Sequence, residues 1–112
     1  MITTSIIAMN GIDAHRALVI LDRTQNAFVT GMLTASIHTL KAELSRRVVR
    51  LTFMKKDGTI TTRYGTTMYA DRHINGRGVD SDSRNVVSFL DCDAVGENKW
   101  RSFRFEKLIS YE

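Results

Sequence analysis

From Leu33 onward the apolar residues fall at Leu33, Ile37, Leu40 and Leu44, with polar residues between them. That three-and-four spacing puts them on one face of a helix, so the pattern predicts a helix over about residues 34–46 with this face in the core. Thr34 or Ser36 would cap its start, and Arg46 and Arg47 suit a last turn in which cations face the negative end of the helix dipole. After Arg47 the period changes to two: Val49, Leu51 and Phe53 point one way, and Arg50, Thr52 and Met54 the other. This predicts a strand with one buried face. Lys55-Lys56-Asp57-Gly58-Thr59 separates it from a second alternating run at Ile60, Thr62 and Tyr64. Asp-Gly between two such runs predicts a hairpin closed by a tight primed turn, with positive φ at both central residues.

Ala70 to Arg84 has little periodicity and reads as an irregular exposed loop or flap. Asn85 to Leu90 is a third strand, Asp91 to Lys99 a turn, and Trp100 to Phe105 a fourth strand. A tight turn at Glu106-Lys107 then leads into a fifth strand containing Leu108, Ile109 and Tyr111. Phe103, Phe105, Leu108 and Ile109 are its expected contribution to the core. Near the N-terminus the apolar run Ala17 to Leu21 allows a strand, whereas Asp13 as an N-cap followed by Ala14, Leu18 and Leu21 makes a helix, the reading we favour. The pattern thus predicts an α+β fold: a small closed antiparallel barrel of about five strands, since closure removes exposed edges, behind an N-terminal helical segment. We divide the chain into an N-terminal segment, residues 1–33, packed on the barrel, and residues 34–112, a helix plus the barrel.

A chain of 112 residues, 43% hydrophobic and 25% charged, has the makeup of one globular domain. Its apolar runs are too short for a membrane-spanning helix, and the first thirty residues lack the layout of a signal peptide, which together predict a soluble intracellular protein. The single cysteine, Cys92, lies between Asp91 and Asp93, whose charges should raise its thiol pKa and make it structural rather than nucleophilic. The net charge is +4, and none of the excess comes from the first 45 residues, where Arg16, Arg23 and Lys41 cancel Asp13, Asp22 and Glu43. Any attraction for an anionic partner therefore belongs to the rest of the chain.

Within that part, Arg50, Lys55, Lys56 and Arg63 cluster on the first hairpin, with the lysines at its tip and the arginines directed to the solvated side. Such a cluster can contact phosphates without reading sequence. On the fourth strand, period two puts Trp100, Ser102 and Arg104 opposite Phe103 and Phe105, with Arg101 on the phenylalanine side. Trp100 and Arg104 together could stack on a base and pair with a phosphate. In the flap, Arg72, His73 and Arg77 beside Gly76 and Gly78 could close over a ligand. His15, His38 and His73 are too scattered for metal-ligand spacing, Cys92 has no second cysteine, and neither a phosphate loop nor a nucleophile elbow occurs. We expect no catalytic residue, no metal and no cofactor.

The run VVRLTFMKKDGTITTRYGTT, the segment INGRG, and NVVSFLD followed by WRSFRFEKLIS resemble small bacteriophage-encoded proteins of the WYL-type, Sm-like SH3 β-barrel group, over about residues 35–112. The Trp-Tyr-Leu triplet of bacterial WYL proteins is missing here. The resemblance implies a phage accessory protein in the host bacterial cytoplasm, with no defined enzyme activity, in a group associated with nucleic-acid or nucleotide-ligand binding. Our expectation is non-enzymatic binding of DNA or RNA, or of a host machine that carries it, through Arg50, Lys55, Lys56, Arg63, Arg72, Arg77, Trp100 and Arg104. The alternatives are a protein-binding module that redirects a host enzyme, with the N-terminal third as its interface, and a nucleotide-ligand sensor.

Overall fold

The computed structural model describes residues 11–68, 81–96 and 98–112. Among them two helices, α1 (Gly11–Thr24) and α2 (Ala27–Leu44), precede five strands: β1 (Val49–Met54), β2 (Ile60–Thr66), β3 (Val86–Asp91), β4 (Trp100–Arg104) and β5 (Leu108–Tyr111). The strands form one antiparallel sheet in the order β4-β3-β2-β1-β5. A 3₁₀ turn at Phe105–Lys107 carries the chain from β4 across to β5, at the opposite edge of the sheet. The expected closure does not occur: β4 and β5 are not hydrogen-bonded to each other, and the sheet is a curled, open one.

The helical pattern begins earlier than the apolar spacing suggests. Asn26 caps α2, its side chain accepting from the Val29 N–H at 3.0 Å. Thr34 is not a cap but a buried interior residue whose hydroxyl donates to the Thr30 carbonyl at 2.7 Å. Thr30 and Thr34 look polar in sequence, yet this back-bonding lets them occupy the buried face. Arg46 and Arg47 lie beyond the helix end, and Arg47 returns to Glu43 at 2.8 Å. Of the two readings of the N-terminal region, the helix is correct; Ala17 and Ile20 are its fully buried contacts, while Leu18 is exposed.

The core joins Ile20, Ile37, Leu40 and Leu44 of the helices to Val49, Leu51, Phe53, Val87, Phe89, Phe103, Phe105 and Leu108 of the sheet. Ile109, expected in the core, is half exposed: Leu108 pairs with Phe53 on the inner face and Ser110 with Thr52, so a register shift leaves Ile109 as the unpaired extra residue of a bulge. Polar contacts fix the helices to the sheet. Arg16 is buried and makes a bidentate pair with Asp82 at 2.8 and 2.9 Å, together with a 3.0 Å bond to Asp13. Lys41 reaches Asp82 at 3.0 Å and Ser81 at 2.9 Å, and Arg23 reaches Glu106 at 2.9 Å.

The hairpin forms as expected, with a different turn. Lys55 and Thr59 pair, the Gly58 N–H donates to the Lys55 carbonyl at 3.0 Å, and of the central residues only Gly58 has positive φ, at 89°. This is the three-residue connection in which a left-handed glycine ends the turn. Asp57 accepts from both the N–H and the hydroxyl of Thr59, which ties the turn to the returning strand.

Candidate functional site

The register of β1 on β2 decides where the basic residues go. Arg50 pairs with Tyr64 and Leu51 with Arg63, so Arg63 lies on the inner, concave side of the sheet and Arg50 on the outer one. The two do not share a solvated face, contrary to expectation, because cross-strand neighbours project to the same side. The inner positions of β2 are Thr61, Arg63 and Gly65, and Ile60 and Tyr64 are exposed. Gly65 is a packing requirement: a Cβ there would lie 2.4 Å from Phe89 Cδ2 and 3.1 Å from Leu51 Cδ1. Phe89 fills the space over Gly65, and beyond it β2 supplies no large apolar side chain. Phe53 and Phe103 close the core at that end by stacking on each other, with ring centres 4.5 Å apart and planes within 14°.

A groove of about 640 Å³ follows between the hairpin and β4. Phe53, Phe103, Met54 and Val86 give it an apolar floor, Thr61 and Ser102 add hydroxyls, and its cations are Lys55, Lys56, Arg63, Arg101, Arg104 and Lys107. Among the described residues no carboxylate lines it. Arg104 is drawn to Glu106 at 3.1 Å, whereas Lys55, Lys56 and Lys107 are in no ion pair among the described residues. Beneath the groove, Asp91 is almost fully buried and lies 4.0 Å from both Arg63 and Arg101. Its other oxygen accepts from the Asp93 N–H at 3.0 Å. At 4.0 Å the carboxylate orients the two guanidiniums without hydrogen-bonding them.

The groove thus gathers Lys55, Lys56, Arg63 and Arg104 of the residues expected from sequence. Arg50 is outside it, paired with Glu112 across the outer face. Trp100 is outside as well: it pairs with Leu90 at one end of β4 and Arg104 with Val86 at the other, about 13 Å apart at strand rise. Arg72, His73 and Arg77, with most of the proposed flap, lie outside the described residues. Two groove cations, Arg101 and Lys107, were not among the expected site residues. The parity of Arg101 with Phe103 was the signal for the first; Lys107 sits in the 3₁₀ turn, where no periodicity operates. Cys92 is exposed, and partial burial, then the charges of Asp93 and Asp91, push its thiol up, away from nucleophilic use. Among the described residues no group of histidine, cysteine and carboxylate side chains could hold a metal ion, and no helix is long and apolar enough to cross a membrane.

An open five-stranded antiparallel sheet, with a 3₁₀ turn between its last two strands and two helices sharing its core, is the architecture of a small SH3-like protein. The model of the WYL_2 family, of Sm-like SH3 β-barrel fold, matches residues 37–109, and the chain belongs to that family. Neither a curated protein nor a solved structure matches the chain.

Proposed function

We propose that this is a non-enzymatic protein that binds single-stranded nucleic acid in the groove between the β1–β2 hairpin and β4. The observation that carries this reading is a groove lined, among the described residues, by six cationic side chains and no carboxylate. Phosphates need positive charge within reach, and a concave basic channel suits a flexible strand. A duplex read in its grooves calls instead for a helix or ribbon that projects into it. The setting that fits the sequence resemblance is an accessory role for a phage in the bacterial cytoplasm, on nucleic acid or on host machinery that carries it.

The test is fluorescence anisotropy with labelled single- and double-stranded DNA and RNA of mixed sequence, across a salt series. Single strands should bind at low salt with an affinity that falls steeply as salt rises, and the double variant Lys55→Glu, Lys56→Glu should lose most of it. If that variant bound as well as wild type, the groove would be the wrong surface. One observation favours a second reading as a protein-binding module. A groove of about 420 Å³ between α2 and β5 is edged by Met32, Leu33, Ile109 and Tyr111, and Met32 and Ile109 are at least half exposed. A protein partner would be supported by loss of its capture on Met32→Asp with nucleic-acid binding intact.

A further inference from the structure

On the reading just given, we infer that the groove holds the phosphodiester backbone of a single strand and leaves its bases outside. Among the described residues, the aromatic side chains at the groove cannot act as stacking platforms. Phe53 and Phe103 are 6% and 5% exposed, and each ring's stacking partner is the other. Phe53 also meets Phe89 edge-on at 5.9 Å, so its remaining surface is packed as well. Trp100, the one residue of β4 that could stack on a base, is not part of the groove wall. Binding that depends on bases relies on open aromatic faces, or on paired donors and acceptors matched to base edges. The groove instead offers cationic donors almost throughout, with Thr61 and Ser102 its hydroxyls.

Phosphate oxygens only accept, and that donor set fits them. Arg63 and Arg101 are held for this task from below. Asp91 lies between them at 4.0 Å, and Arg101 Nη1 donates to the carbonyls of Trp100 at 2.8 Å and Asn98 at 3.3 Å. The Arg101 fork is thereby anchored through one amino group, and among the described residues the other is left for a ligand. Pre-ordered donors lose less freedom on binding than loose ones. Lys55, Lys56 and Lys107 supply mobile charge around this fixed pair.

The test compares two labelled probes of equal length, oligothymidylate and a strand of abasic spacer phosphodiesters, by anisotropy across a salt series. Affinities within about threefold of each other and equal salt slopes are expected, since each phosphate contact contributes to the slope whether or not a base is attached. Arg101→Gln should weaken both probes alike and lower both slopes by about one. Tight oligothymidylate binding with at least tenfold weaker abasic binding would overturn the backbone inference and leave the groove reading standing. Binding of neither probe would overturn the groove reading itself, and the inference with it.

Discussion

The protein handles positive charge in two opposite ways. On the helix side Arg16, Arg23 and Lys41 are largely buried, and each has a carboxylate within 3.0 Å. At the groove, Lys55, Lys56 and Lys107 have no ion-pair partner among the described residues, and Arg63 and Arg101 share one carboxylate at 4.0 Å. The first set joins parts of the chain distant in sequence, as Arg16 and Asp82 do; the second lines a concavity, and Arg104, 3.1 Å from Glu106, is its one member within hydrogen-bonding distance of a carboxylate among the described residues. Cations that hold a fold together must be neutralised, because an unpaired buried charge is costly, whereas cations for a ligand must be kept from internal partners. Charge reversal should therefore unfold one region and disarm the other.

The largest effect is expected on the helix side. Asp82→Asn leaves Lys41 without its carboxylate and Arg16 with Asp13 alone, so it should destabilise the protein by about 3 kcal/mol, the lower end for breaking a buried pair because Asp82 is itself partly exposed. Urea denaturation measures it. The same network sets an acid limit. Burial works against the Asp82 carboxylate, but hydrogen bonds and charge from Arg16 and Lys41 outweigh it and hold the group below its ordinary range. A depressed carboxylate contributes stability that is complete above its unfolded value, about pH 4, and is lost as pH falls through the lower folded value. Wild type should thus lose stability below about pH 4, and in Asp82→Asn that part of the loss should disappear.

Next in size is the boundary between core and groove. Gly65→Ala places a methyl group 2.4 Å from the Phe89 ring, and the overpacking should cost about 2 kcal/mol in the same urea experiment. A loss below about 0.5 kcal/mol would mean that Phe89 can move aside and that Gly65 does not shape the groove.

The elements themselves were largely legible, because β1 and the second half of α2, with Ile37, Leu40 and Leu44, carry periods that match their burial, whereas the first half of α2 buries Thr30 and Thr34. The side on which the site forms was not. On β2 the binary pattern is inverted: Ile60 and Tyr64 face out, and Thr61 and Arg63 face in. A reading that sends polar residues outward places Arg63 with Arg50, and pairing with Leu51 overrules it. Local rules tend to break at functional sites, and an inward arginine on a half-apolar strand was the feature to question. Gly65 within that strand was a second signal, of close approach by another group. Closure was beyond sequence altogether, since it depends on whether two edge strands far apart in the sheet meet, which no local pattern encodes.

The groove cations give the third contrast. Lys55→Glu with Lys56→Glu should reduce single-strand affinity by at least tenfold and lower the salt slope by about two. Because both lysines are exposed and in no ion pair among the described residues, stability should stay within about 0.5 kcal/mol of wild type. A comparable loss of stability would erase the distinction between the two kinds of cation.

The smallest effect is also the most discriminating. Arg50 is close in sequence to the hairpin lysines and has the same sign of charge, so any account based on net charge or proximity counts it as part of the site. The register puts it on the other face of the sheet, opposite Tyr64 and paired with Glu112. That pair is exposed, and Arg50→Ala should change stability by less than about 1 kcal/mol. It should change single-strand affinity by less than about twofold and leave the salt slope as it was, since a contact that does not exist releases no counterions. If Arg50→Ala lowered the slope by one, as Arg101→Gln is expected to, the strand would have to wrap onto the outer face. Binding would then follow the total charge of the hairpin rather than the side of the sheet to which each residue points.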